Sequence, residues 1–199
     1  MPIRLNTQAK GIFCVEGLWE NNLTKASTVR PILDLLSKQV DRAIPSIYRD
    51  FATREEFEFY LEKWCQRTYD AFPILYIATH GKDSGICLSK GMIELDEIAE
   101  LLEGQCSNRI VMFGSCSTLS GHKSELKRFL RKTEALAVCG YRADVDWLKA
   151  TAFELLVFSE MQANEFSGKG IDAICSKALE IGRMFRELEF RMVTYKEAE

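Results

Sequence analysis

No run of about 18 apolar residues occurs anywhere in the chain, and its first ten residues, MPIRLNTQAK, contain no apolar core of the kind that directs export. Neither membrane insertion nor secretion is expected, and the protein is expected to be cytoplasmic. Charge of one sign is lacking too: 26 Lys and Arg stand against 29 Asp and Glu, a net −3, with no basic stretch interleaved with aromatics. Nucleic acid is therefore not an expected partner. The seven cysteines form no C-x-x-C pair and no Cys/His cluster at zinc spacing, so neither a disulfide framework nor a metal site is expected. Neither a Walker loop nor a G-x-G-x-x-G turn follows any apolar run, which disfavours a nucleotide or phosphate binder, and no cofactor is expected. Proline is scarce, at four residues, and no linker, repeat or low-complexity tract appears. With 47% hydrophobic and 28% charged residues, the composition is that of one ordinary globular domain spanning residues 1–199.

What is present is an alternation of short apolar runs with amphipathic stretches, the pattern of an α/β fold whose largely parallel sheet is covered on both faces. Strands are predicted over residues 11–15, 43–48, 73–79, 109–113 and 135–141, the second weakened by Pro45 and so placed at an edge. A helix over 28–40 turns Ile32, Leu35, Leu36 and Val40 to one face, with Pro31 in its first turn. The run Thr53-Arg-Glu-Glu56 is a capping box that starts a helix carrying Phe57, Leu61, Trp64 and Phe72 inward. Residues 85–88 and 92–95 form a small hairpin, followed by helices over 96–102 and 123–131. Asp146 caps a helix over 147–161, and a last helix over 171–194 presents Ile174, Ala178, Ile181, Phe185 and Leu188 to the core.

Chemistry is expected just beyond the carboxyl ends of the strands, where loops converge over a rigid base. His80 and Cys116 both occupy that place. The chain between them suffices for a hairpin, a helix and a strand, so a right-handed crossover sets their strands side by side. Gly81 follows the histidine, and Gly114 and Ser115 precede the cysteine. Small residues there let a substrate backbone approach and leave main-chain N–H groups to face a developing oxyanion. A cysteine or a histidine alone reads more simply as core packing or as a hydrogen-bonded residue; the pairing at adjacent strand ends supports catalysis. The second histidine, His122, follows Gly121 at the start of a polar helix and is expected to be solvated.

Three segments carry a resemblance. Tyr76-Ile-Ala-Thr-His80-Gly81, Ile110-Val-Met-Phe-Gly-Ser-Cys116-Ser and Ala137-Val-Cys-Gly-Tyr-Arg-Ala-Asp-Val-Asp146-Trp resemble the two chemistry-bearing strands and the following Asp-bearing turn of caspase-like cysteine peptidases, most closely their CHAT branch. The resemblance implies a three-layer sandwich with caspase-like, flavodoxin-like wound topology. It also implies a cysteine endopeptidase in which Cys116 attacks a peptide carbonyl, His80 protonates the leaving amine, and the N–H groups of Gly81 and Cys116 hold the oxyanion. In that fold the pocket for the residue before the scissile bond lies near Glu16, Asp144 and Asp146, with Ser115 nearby, and acidic groups there favour cleavage after basic residues. Asp146 as a simple helix cap and Glu16 as a solvated strand end remain equally open. The expected partners are a protein or peptide substrate and a separate regulatory or activating protein. The alternative is a catalytically silent caspase-like module used for binding or regulation.

Overall fold

The computed structural model describes residues 9–20, 22, 24, 25, 27–39 and 43–198. The elements are β1 (Ile12–Gly17), α1 (Arg30–Ser37), β2 (Ser46–Phe51), α2 (Arg54–Trp64), β3 (Ile74–Ala78), β4 (Gly81–Lys82), β5 (Gly85–Cys87), β6 (Met92–Glu94) and α3 (Leu95–Leu101). They continue as β7 (Ile110–Phe113), α4 (Lys123–Thr133), β8 (Ala137–Tyr141), α5 (Trp147–Glu160), α6 (Gly170–Gly182) and β9 (Phe190–Thr194). The main sheet has the order β2-β1-β3-β7-β8-β9, parallel throughout except for the antiparallel β8–β9 pair. Strands β4, β5 and β6 form a separate small antiparallel sheet. Among the described residues no helix is long and apolar enough to cross a membrane.

Side-chain alternation along the central strands divides the core between the two faces. Ile12, Cys14, Ile74, Tyr76, Ile110, Met112 and Cys139 meet α1, α5 and α6 through Ile32, Leu36, Phe153, Val157 and Ile174. Their neighbours Phe13, Val15, Leu75, Ile77, Val111, Phe113 and Val138 meet α2, α3 and α4 through Phe57, Leu61, Ile98, Phe129 and Leu130. Each fully buried large apolar side chain contributes roughly 1.5–3 kcal/mol, so the two faces together supply the main driving force for folding. The result is the expected three-layer α/β sandwich with a mostly parallel sheet.

The capping box forms as expected: the Thr53 side chain accepts from the Glu56 N–H, and the Glu56 carboxylate accepts from the N–H groups of Ala52 and Thr53. Thr53→Ala is expected to cost about 1 kcal/mol, seen in a thermal melt as a drop of roughly 2–4 °C. Phe72, predicted to point inward from this helix, lies beyond its end at Trp64, and its carbonyl accepts from the Trp64 indole at 2.8 Å.

Other expectations are corrected. The second strand runs over Ser46–Phe51, three residues later than read, because its register with β1 pairs Ile12 with Ser46; it does lie at the sheet edge. In α1 the buried residues are Ile32, Leu33 and Leu36, while Leu35 is exposed; Val40 lies outside the described residues. The largest difference is at the end, where the predicted helix over 171–194 is α6 only to Gly182, then a 3-10 turn over Arg186–Leu188, then β9. Ile174, Ala178 and Leu188 are buried, whereas Ile181 and Phe185 are only partly so. Apolar residues at 185, 188 and 192 mimic a helical period. Pairing of all five residues of β9 with β8 outweighs that local pattern, and the left-handed Glu189 (φ +44°) turns the chain into the strand.

Candidate active site

The order of the strands sets where a site forms. From β1 the chain crosses through α1 to β2 on one side, then returns through α2 to β3 on the other. Loops leaving β1 and β3 therefore diverge and open a crevice at their carboxyl ends. Trp19 follows β1, His80 follows β3, and Gly114 and Cys116 follow β7. With the start of α5 these residues line one cavity of about 180 Å³. His80 and Cys116 thus share a wall of the same crevice, on paired strands in which Ile77 lies beside Phe113.

Their closeness depends on Gly81. A Cβ at that position would lie 2.2 Å from the Cys116 carbonyl oxygen and 2.3 Å from Thr118 Oγ1, so only glycine lets the two loops touch. The Thr118 hydroxyl, itself buried, donates to the Gly85 carbonyl at 3.2 Å and ties the loop after Cys116 to the β4–β5 hairpin. In that hairpin the Cys87 N–H donates to the His80 carbonyl at 2.7 Å. The next pair, Gly81 with Ile86, is therefore the non-hydrogen-bonded kind, and the Gly81 N–H points away from the ladder. Ser117, just after the cysteine, is held in the left-handed region (φ +52°) while its N–H donates to Ala143 and its hydroxyl to Asp144. Such a backbone costs on the order of 1–3 kcal/mol and persists because those bonds over-determine it.

The imidazole is oriented by a main-chain group. His80 Nε2 lies 2.5 Å from the Trp19 carbonyl oxygen, which only accepts, so Nε2 carries the proton and Nδ1 is the basic nitrogen. The Trp19 indole packs edge-on against His80 at 5.2 Å and against Trp147 at 4.8 Å. Trp19 is held in turn by Glu16, whose buried carboxylate accepts from the Trp19 indole (2.5 Å), Thr28 Oγ1 (2.6 Å), the Val29 N–H (2.7 Å) and the Tyr48 hydroxyl (2.5 Å). Burial, followed by the bond to Glu16, holds the Tyr48 hydroxyl far above its ordinary range.

Cys116 is half-buried, and its Sγ accepts a weak bond from the Val145 N–H at 3.5 Å. All seven cysteines are free. Burial drives the thiols of Cys14, Cys106 and Cys139 far up, raises Cys65, and pushes Cys175 up to about 11.

The remaining sequence candidates fall elsewhere. Ser115 is buried and donates to the Ile77 carbonyl at 3.4 Å, bracing the strand end. Glu16 borders an adjoining cavity of about 440 Å³ together with Asp50 and Tyr48. Asp144 is exposed and takes the Ser117 hydroxyl, and Asp146 caps α5 by accepting from the Lys149 N–H at 3.0 Å. None of these three carboxylates lines the cavity that His80 and Cys116 share. His122 is exposed at the start of α4.

Two contributors escaped the sequence reading. The Trp19 carbonyl had no signature to find, since every residue carries one. Glu154 lines the same cavity, buried, and accepts from the hydroxyls of Tyr76 (2.6 Å) and Tyr141 (3.0 Å). A carboxylate between Phe153 and Val157, both on the buried face of α5, was the available signal. Burial raises its pKa to about 7, against the lowering effect of the two tyrosine bonds. Gly114 accommodates this group: a Cβ there would lie 2.6 Å from the Tyr76 ring and 2.9 Å from Glu154 Oε1.

The mostly parallel sheet, with a histidine and a cysteine at adjacent strand ends, has a caspase-like fold, as comparison with solved structures shows. Caspase-1 from Spodoptera frugiperda shares the fold at a TM-score of 0.59 and 10% identity, over 98% of this chain and 95% of that one. A secreted C11 cysteine protease from Bacteroides thetaiotaomicron, solved with an irreversible peptide inhibitor, matches at 0.57 and 8% identity, over 96% of this chain and 67% of that one. Residues 9–193 match the model of a family of unknown function, DUF6642, and the chain belongs to that family. No curated protein matches it.

Proposed function

We propose that residues 1–199 form a single peptidase domain of the CHAT type, a cysteine endopeptidase working through Cys116 and His80. The observation that carries this reading is that both side chains line one cavity while the Gly81 backbone packs against that of Cys116. Cys116 Sγ, its proton passed to His80 Nδ1, attacks the substrate carbonyl carbon. The N–H groups of Gly81 and Cys116 receive the oxyanion, each donor worth about 10²- to 10³-fold in rate. His80 returns the proton to the leaving amine as the C–N bond breaks, leaving a thioester on Cys116. Water, giving a proton to His80, then releases the carboxylic acid and restores the thiol. The Trp19 carbonyl keeps the imidazole in the tautomer that this sequence requires.

The test joins labelling to turnover. Under limiting iodoacetamide, peptide mass spectrometry is expected to show Cys116 modified at least about tenfold faster than each of the other six cysteines. Loss of cleavage of a fluorogenic peptide library should track that modification one for one. Uniform labelling with no cleavage of any peptide would end the peptidase reading and leave a silent binding module, and cleavage undiminished by the label would remove Cys116 from the chemistry.

A further inference from the structure

The peptidase reading leaves Glu154 without a task. Its carboxyl sits on the third turn of α5 and is reached from β3 by Tyr76 and from β8 by Tyr141, each hydroxyl serving a different oxygen. One acceptor site on each oxygen is then left over. None of the ion pairs among the described residues includes Glu154. The charge of Glu154 reaches the thiols of Cys14 on β1 and Cys139 on β8, and neither thiol is cationic. His80 and Cys116 stand on the same cavity. A buried carboxyl with two neutral donors and no ion-pair partner suits a positive group, which would favour its ionised form and be attracted to it through a medium of low dielectric.

Much of the lining is apolar: Trp19, Trp147, Val29, Val145 and Ala150 border the same cavity as Cys116 and Glu154, so a bound side chain there meets hydrocarbon as well as charge. Long amphipathic side chains fit this layout, with the stem on the indoles and the head on the acid. The acids that the sequence put forward do not compete, since Glu16 is saturated by four donors and Asp146 caps its helix.

We propose that this cavity receives the substrate side chain preceding the scissile bond, and that Glu154 on its lining selects a cationic side chain, lysine or arginine. The assignment rests on the peptidase reading for the direction of the substrate, and its test is chosen to stand apart from turnover. Cys116→Ala protein, which cannot form the thioester, is titrated with blocked peptides identical except for Lys, Arg or norleucine before the central amide. Binding is followed by the fluorescence of Trp19 and Trp147, which line the cavity. Lys and Arg peptides are expected to bind at least about tenfold more tightly than norleucine, whose chain is similar but uncharged. In Cys116→Ala/Glu154→Gln the ratio is expected to fall to about one, with norleucine affinity retained. Thr151→Lys, on the same cavity one turn before Glu154, supplies a resident ammonium and is expected to erase the preference in the same way; it serves if the Gln variant does not fold.

Equal binding of norleucine and Lys by Cys116→Ala, or a preference that survives both substitutions, overturns the assignment. If Cys116→Ala prefers Lys while the wild type cleaves no peptide, the pocket stands and the peptidase reading falls. If the wild type cleaves without regard to charge, the peptidase reading stands and Glu154 has no part in selection.

Discussion

Cys116→Ala and His80→Ala proteins are expected to cleave peptides on the order of 10⁴- to 10⁶-fold more slowly than wild type, the scale of loss when a protease nucleophile or its base is removed. Both should melt close to the wild-type temperature. Cys116 Sγ accepts only one weak bond, from the Val145 N–H at 3.5 Å, so its removal costs little packing or polar energy. His80 is exposed, and its loss frees the Trp19 carbonyl, which water can then solvate. The two effects should not add: once either partner is gone the thiol–imidazole pair no longer works as a unit, and the double variant should match the slower single one. Steady-state kinetics on one fluorogenic peptide, paired with thermal melts, provide the check. Equal turnover by all four proteins would remove Cys116 and His80 from the chemistry.

The second large effect concerns stability against pH. The Glu154 carboxyl has its pKa raised from 4.5 to about 7 by burial, with the bonds from Tyr76 and Tyr141 acting in the opposite direction. Between those two values the folded protein keeps a proton that the unfolded chain releases. Rising pH therefore favours unfolding: the contribution of this group is fully present below about 4.5 and is lost as pH passes through about 7. At 1.36 kcal/mol per unit the loss is about 3 kcal/mol. Urea unfolding of the wild type at pH 5 and pH 8 should show this decrease, while Glu154→Gln, which cannot ionise, should be flatter by about the same amount. Parallel pH profiles for the two proteins would mean that the carboxyl titrates alike in both states.

How much of this was legible depended on how local the cause was. The central strands 74–78 and 110–113 stood out as continuous apolar runs because both of their faces are buried. The capping box at Thr53 and the Asp146 cap were readable because each is completed within three residues. The order of the elements from 73 to 141 then led to the pairing of β3 with β7, and with it the meeting of His80 and Cys116 on one cavity. The final strand was misread because a helical spacing of apolar residues and an edge-strand pattern overlap over 185–192, and only β8 decides between them.

The carboxylates show the boundary most clearly. In sequence Glu16, Asp144, Asp146 and Glu154 are alike, four acids near strand ends or on a helix, and the caspase-like resemblance points to the first three. Folding ranks them differently. Glu16 is consumed by donors from residues 19, 28, 29 and 48, and Asp146 by its own helix, whereas Glu154 is carried beneath Gly114 by tyrosines from β3 and β8. By itself the sequence determined the α/β layering, the central strands and the two strand ends that bear sulfur and imidazole, because hydrophobic period and capping act over a few residues. Only the tertiary structure decided which nitrogen of His80 holds the proton, how tightly Gly81 must approach Cys116, and which acid faces their cavity. Those outcomes depend on hydrogen bonds and contacts between groups far apart along the chain, which exist only once the sheet has brought them together.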